Sequence, residues 1–358
     1  MRGRLSSIVT LVLALGLWVG LGAGAAWSAD KPLVLRYAAQ GAPKGVRAEA
    51  VKWWASEIEK RSKGKVQIKF FWSGALLKPG DAMEGIGART ADLGGAWGIY
   101  HPAKTPLWTV GDPPFSHDDP YVGLATMREM FKTYKPLIDE LAKYNVKVLA
   151  PFVTGMTQLG TTKKEVFVPA DTEGMKIRFA GGQWAKFWKS VGAVPIKLTQ
   201  GEVYEALMRG TADATQSYFF ILEAYKHWDV IKYYSVINAG ELCSYGLAIN
   251  LPLYNSFSPE LKKVFNEVSD EFVERYAKGL IDVRKKVIPL GEKKGMKFLY
   301  LNQEQRAKWL TAAKPFMDAW AKAMDERGLP GTKTQQTFLS LAEKYKKQVE
   351  AKGYPWGK

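Results

Sequence analysis

Between residues 33 and 70 the hydrophobic period changes from two to 3.6 and back again. Leu33, Leu35 and Tyr37 alternate with their neighbours as one face of a strand does. Val51, Trp54, Ala55 and Ile58 then fall at i, i+3, i+4 and i+7, the buried stripe of a helix that Gly64 ends. Val66, Ile68 and Phe70 alternate once more. Strand, helix and strand in close succession make a crossover unit, which requires a parallel sheet covered by helices and points to the α/β class. Downstream, the pattern predicts a helix from near Asp81 and a short strand over Ala91, Asp92, Leu93 and Gly94. An irregular proline-rich passage from Pro102 to Pro120 follows, then one long helix from Tyr121 to Tyr144 and a strand from Val146 to Phe152.

The second half repeats the alternation. Lys176 to Phe179 reads as a strand, Gly181-Gly182 as a turn, and Trp184, Phe187, Trp188 and Val191 as a helical stripe. Val194 to Leu198 is the next strand. Thr199 and Glu202 form a capping box, each side chain able to satisfy an orphan backbone donor, and Gly210 closes the helix they open. Thr211 to Thr215 reads as another short strand. Ser258 and Pro259 start a helix of about 30 residues, long enough to cross two lobes. A strand at Met296 to Tyr300 and helices carrying Trp309, Phe316, Trp320 and Phe338 finish the chain, with no internal repeat.

At 358 residues, 47% hydrophobic and 24% charged, the chain has the material for two lobes with real cores. Lys and Arg number 51 against 35 Asp and Glu, a formal charge of +16, but acids such as Glu57, Glu59, Glu267 and Glu271 interrupt the bases. That pattern describes a solvated basic surface that draws small anions, and no nucleic-acid partner is expected. The single cysteine, Cys243, excludes an intrachain disulfide and any CxxC site. Arg2 and Arg4 precede an apolar run from Ile8 to Gly20, and Ala26 and Ser28 suit a peptidase cut before Ala29. Residues 1–28 are therefore read as a cleavable signal peptide, its apolar run shorter than the roughly 20 residues that span a bilayer. Export to the periplasm is the expectation, and the mature chain keeps a charge of +14.

Catalytic motifs are missing. His101, His117 and His227 are too scattered for HExxH, and neither a GxSxG elbow nor a Walker A loop occurs. Gly85-Ile86-Gly87 lacks the third glycine of a dinucleotide fingerprint. Ser116-His117-Asp118-Asp119 puts triad-like groups side by side, whereas triad members converge from separate loops, so it reads as a polar loop. No cofactor and no enzymatic activity are expected.

Gly174-Met175-Lys176-Ile177-Arg178, Gly192-Ala193-Val194-Pro195, and Glu202-Val203-Tyr204-Glu205-Ala206-Leu207 with Gly210 and Asp213 occur in order. Gly64-Lys65-Val66, Gly74-Ala75-Leu76 and Ala91-Asp92-Leu93-Gly94 precede them. This ordered set resembles the DctP-type solute receptors of TRAP transporters over most of the mature chain. The resemblance implies a two-lobed α/β binding protein of type II-like architecture, with hinge strands and a long lobe-spanning helix. It also implies a periplasmic receptor that closes on an organic acid and presents it to the permease subunits in the membrane. The lobes are expected to comprise residues 30–153 with 244–285, and 154–243 with 286–358 including the C-terminal helices.

In that family the arginine of the strand matched by Lys176 to Phe179 grips the ligand carboxylate; here it is Arg178. A guanidinium matches a carboxylate with two parallel hydrogen bonds, and the Gly181-Gly182 turn and the helix start after it would add backbone donors. Many relatives carry a second arginine about twenty residues earlier, but that position falls at Gln158, which argues against C4-dicarboxylates. Gln158 with the Gly-Gly turn also resembles the 2-oxo-acid branch, in which an acidic residue, a tryptophan and a later glutamate can hold a cation. The first two are Gln216 and Ser217 here, and only Glu241 is retained, so a metal at Glu241 and Gln216 would lack a charged ligand that a hard cation prefers. Glu241 could instead accept a ligand ammonium, which makes an amino acid the rival ligand; a structural partner for Glu241 is the third reading.

Trp97 and Tyr100, Trp184, and Tyr218, Phe219 and Phe220 follow predicted strand ends, where a cleft forms in α/β sheets. Trp97, Tyr218 and Phe219 are assigned to the pocket, whereas Trp54, Phe187 and Trp188 are assigned to the core. With Gln183, Gln158 and Gln216 as polar neighbours of Arg178, the expected ligand is an aromatic or branched monocarboxylate of 2-oxo-acid type. A periplasmic carboxylate-processing enzyme is the alternative from another class, and it would need a base that these glutamines cannot supply.

Overall fold

The computed structural model describes residues 31–357, and the expected signal peptide lies outside them. These residues contain eleven strands: β1 (Leu33–Ala38), β2 (Val66–Phe71), β3 (Leu93–Trp97), β4 (Val146–Phe152), β5 (Gln158–Thr161), β6 (Lys176–Phe179), β7 (Val194–Lys197), β8 (Ala214–Ser217), β9 (Tyr233–Val236), β10 (Tyr245–Asn250) and β11 (Lys297–Tyr300). They form two sheets, one ordered β2-β1-β3-β10-β4 and the other β11-β9-β5-β8-β6-β7. The protein is thus a two-lobed α/β structure with one sheet per lobe.

In the first sheet β1 lies parallel to β2 and β3, as the crossover pattern requires, and β10 enters antiparallel between β3 and β4. The helix Val46–Arg61 covers this sheet with Val51, Trp54, Ala55 and Ile58 buried. The Trp54 indole N–H finds Ser269 Oγ at 3.0 Å, so the ring is fully buried without orphaning its donor. In the second sheet β6 is parallel to β7 and β8, while β5 runs antiparallel to β8 and β9.

The chain passes between the sheets at 153–157 and again at 237–244. These two passages are laced together: Thr157 N–H donates to Gly240 O at 2.7 Å and Ala239 N–H to Thr157 O at 2.9 Å. A third link is the helix Pro259–Lys293, which starts at the Ser258 cap, where Oγ accepts from Leu261 N–H at 3.2 Å. Along its 35 residues it packs on the helices Val46–Arg61, Pro120–Thr133 and Phe219–Ala224, on β4 and on β11, and so touches both lobes.

Three differences from the sequence reading have local causes. The helix expected from Tyr121 to Tyr144 is two helices, Pro120–Thr133 and Lys135–Ala142, broken at Tyr134. Pro136 cannot donate into a continuous helix and starts a new one instead. The strands expected to begin at Ala91 and Thr211 run later, as β3 and β8. β5, β9 and β10 gave no signal at all. Every residue of β10 is buried, so it carries no alternation to read.

Candidate functional site

A cavity of about 620 Å³ opens between the lobes. The first lobe contributes Gln40 and Gly41 after β1, Arg47 from the first turns of the helix Val46–Arg61, Trp97 and Tyr100 at the end of β3, and Tyr245 at the start of β10. Facing them are Arg178 and Ala180 from β6 and its end, Gln200 and Gly201, Tyr218 after β8, and Phe220 and Tyr225. Thr154 joins from the passage between the sheets. No carboxylate lines this space among the described residues.

Arg178 is 1% exposed, yet its guanidinium has only neutral acceptors. Nε and Nη2 both donate to Leu198 O, at 3.0 and 2.8 Å, and Nη1 donates to Gln200 Oε1 at 3.3 Å. Three of five N–H groups are used in this way, leaving one on each terminal nitrogen for an incoming oxygen. Register explains the position: β6 pairs Arg178 with Ile196 of β7 and Thr215 of β8, so the side chain leaves a strand flanked on both sides, three residues before the Gly181-Gly182 turn. Gln200 sits in the capping box that Thr199 and Glu202 close, with Glu202 Oε2 accepting from Thr199 N–H at 2.7 Å. The helix start thereby fixes a side chain that orients the arginine.

Trp97, Tyr218 and Arg178, three of the residues singled out from the sequence, meet in this cavity. Trp97 donates its indole N–H to Gln40 Oε1 at 2.8 Å. Burial pushes the Tyr218 hydroxyl up to about 12 despite the nearby Arg178 charge, so the phenol stays a neutral donor. The Nε2 groups of Gln40 and Gln200 and the hydroxyl of Tyr218 are buried without a protein partner, which leaves the walls rich in donors.

Five other candidates lie elsewhere. Gln158 is tied down by Asn238, donating from Nε2 to Oδ1 at 2.8 Å and accepting from the backbone N–H at 3.0 Å; it braces the two passages against each other. Gln183 precedes the helix Trp184–Ser190 and does not line the cavity. The Gly181-Gly182 turn does not line it either. A Cβ at position 181 would lie 2.5 Å from Ile99 O, so the glycine is there to let the lobes approach. Phe219 turns to the opposite side of its helix and packs on Tyr234 and Phe298, with Arg284 over its ring at 4.8 Å.

Glu241 is the main correction. It is fully buried and accepts from or shares a proton with His117, Oε2 to Nε2 at 2.8 Å, while His117 Nδ1 meets Ser116 Oγ at 2.9 Å. Burial raises the Glu241 carboxyl and the hydrogen bond to His117 opposes that shift. Glu241 does not line the cavity that holds Arg178, so the amino-acid reading lacks a partner there for the ligand ammonium. Gln216 makes no hydrogen bond to Glu241, and Gln216 Nε2 and Oε1 and Glu241 Oε1 are all buried without a protein partner. Among the described residues no group of three His, Cys, Asp or Glu gathers to hold a metal. The remainder of the Ser116-to-Asp119 loop is structural, Asp119 Oδ1 capping a helix through Tyr121 N–H at 2.8 Å and Asp118 pairing with Lys346 at 3.0 Å.

Arg47 was missed. It is half-buried, with Nε donating to the Tyr276 hydroxyl and Nη2 to Val153 O, each at 3.2 Å. Its guanidinium lies 5.1 Å from the Trp97 ring, 5.3 Å from Phe152, 5.4 Å from Phe220 and 5.7 Å from Tyr245. The argument from Gln158 against a second carboxylate therefore fails, because the first lobe supplies a second arginine by another route.

Residues 37–323 match the family model described as DctP, bacterial extracellular solute-binding protein, family 7. A solute-binding protein of Chromohalobacter salexigens is 28% identical over 203 residues, covering 54% of this chain and 57% of that protein. The chain thus matches little more than half the length of that relative. Among solved structures, a TRAP solute-binding protein from Rhodoferax ferrireducens in complex with copurified benzoate superposes with a TM-score of 0.81 at 20% identity, covering 88% of this chain and 99% of that one. A marine metagenome TRAP solute-binding protein specific for aromatic acid ligands, with co-crystallised 3-hydroxybenzoate, gives 0.79 at 22% identity over the same shares, 88% and 99%.

Proposed function

The chain belongs to the DctP family of bacterial extracellular solute-binding proteins, and we propose that it is the periplasmic receptor of a TRAP transporter for an aromatic carboxylate, which it delivers to the permease subunits. One observation carries the ligand class: a buried guanidinium without a counter-ion, Arg178, shares a cavity of about 620 Å³ with aromatic rings from both lobes and with no carboxylate. A buried cation that has only carbonyl acceptors is costly unless an anion completes it. The two N–H groups left on Arg178 supply charge-assisted bonds to that anion, and Trp97, Tyr218 and Phe220 give a flat ligand faces on which to stack. The basic surface raises the local concentration of anions before capture. The 2-oxo-acid reading is set aside, since Gln158 and the Gly181-Gly182 turn, on which it rested, do not line this cavity. The aromatic acids recorded with the Rhodoferax and metagenome proteins support this choice by analogy of fold.

Calorimetric titration of the mature protein with benzoate, 3-hydroxybenzoate, pyruvate and phenylalanine tests the proposal. The aromatic acids are expected to bind, and Arg178→Met is expected to weaken them about 100-fold, the cost of losing charge-assisted bonds of roughly 1.5–3 kcal/mol each. Undiminished binding in Arg178→Met, or tighter binding of pyruvate or phenylalanine than of benzoate, would overturn it.

A further inference from the structure

We infer that Arg47 is a second anion anchor, so that the cleft prefers an aromatic acid bearing a second acidic group to the parent monocarboxylate; this rests on the aromatic-carboxylate reading above. Arg47 uses two of its five N–H groups, both on neutral oxygens, and among the described residues no carboxylate pairs with it. Four aromatic rings surround its guanidinium, an environment that attracts the cation but does not neutralise it. Arg47 also stands at a junction. It lines the cavity of about 620 Å³ together with Arg178, and a side space of about 470 Å³ together with Lys44 and Trp72. Arg178 does not reach that side space, and no acid lines either one.

The charge count follows. A monocarboxylate on Arg178 leaves a second guanidinium uncompensated in the same cavity. A rigid aromatic dicarboxylate neutralises both with its ring among Trp97, Phe220 and Tyr245. Hydroxylated aromatic acids satisfy Arg47 less completely, as neutral acceptors.

Titration of the mature protein with benzoate and with benzene-1,2-, 1,3- and 1,4-dicarboxylate decides the matter. At least one dicarboxylate is expected to bind about tenfold or more tighter than benzoate, and in Arg47→Met that ratio is expected to fall to about one. Arg47→Lys, which keeps charge but not the planar fork, is expected to hold an intermediate ratio, and circular dichroism reports whether each variant folds. Equal or weaker binding of every dicarboxylate in the wild type overturns the inference. So does a parallel loss of benzoate and dicarboxylate in Arg47→Met with the ratio intact, because Arg47 would then only hold the lobes. If no aromatic acid binds the wild type, the underlying ligand class fails; if benzoate binds and depends on Arg178, that class stands whatever Arg47 does.

Discussion

Two regions of this molecule bury ionisable groups, and they do it in opposite ways. Around the second passage between the lobes, acids meet donors: Asp112 Oδ1 accepts from Cys243 N–H at 2.7 Å and Ser244 N–H at 2.9 Å, Ser244 Oγ donates to Oδ2, and Glu241 holds His117. In the cleft, Arg178 and Arg47 have neutral acceptors only. A buried charge whose partners belong to the chain serves the fold, whereas one facing a cavity with none is completed from outside. Glu241 and Arg178 are both almost wholly buried, so burial alone does not separate the two cases. What separates them is that Arg178 faces the cleft and Glu241 does not.

The heaviest blow to the paired region is expected from Asp112→Ala, which leaves two buried N–H groups without acceptors and should cost about 3 kcal/mol in urea unfolding. Asp112→Asn keeps an acceptor and should cost much less; equal losses would mean that the hydrogen bonds are not what matters. Burial pushes the Asp112 carboxyl up to about 7 against the hydrogen bonds from Ser244 and Cys243. The native state therefore holds a proton that the unfolded chain releases near 3.8, and stability should fall as pH rises from about 4 to 7. In Asp112→Asn that fall should be shallower, with Glu140, which burial also pushes up to about 7, keeping its own share.

His227 tilts the profile the other way. Burial, reinforced by Arg178, pulls its imidazole down to about 3 from 6.5, and neither ring nitrogen has a protein partner. The native state refuses a proton that the unfolded chain accepts, so stability should drop as pH falls below about 6.5, by up to ~1.4 kcal/mol per unit. Thermal melts of His227→Gln between pH 6.5 and 4 should lack this slope; a slope equal to that of the wild type would place the acid sensitivity elsewhere.

The smallest effect sharpens the contrast most. Glu241→Gln should cost about 1 kcal/mol of stability while leaving the affinity for benzoate within about twofold, since the residue lies outside the cleft. A tenfold loss of affinity in that variant would return Glu241 to the ligand and erase the distinction drawn between the two regions.

What could be read from the sequence was whatever had a local signature. The first crossover unit, the Thr199–Glu202 box and the Ser258-Pro259 start each rest on residues within a few positions of one another. Arg178 was visible because it ends a run of spaced motif residues. Arg47 was not, since in a helix of mixed charge it looks like any solvated arginine, and only packing against Trp97, Phe152 and Phe220 sets it apart. Glu241 kept three readings for the same reason, of which the contact with His117 matches the structural one. Its partner His117 lies 124 residues away, and no pattern within one segment reports such a meeting. β10 failed differently, because a strand buried on both faces reads as a plain apolar run.

The lacing of Thr157 with Ala239 and Gly240 bears on how the two halves can shift. Two separate tethers would allow swivel, slide and splay. Stitched side by side, they form one short ribbon, so any turn of the halves would be confined to a single axis, with the long helix lying along both halves like a splint. A turn of that kind would bring the same pair of walls face to face on every cycle, which is what a pair of opposed guanidinium groups would need to find the same guest in the same pose each time.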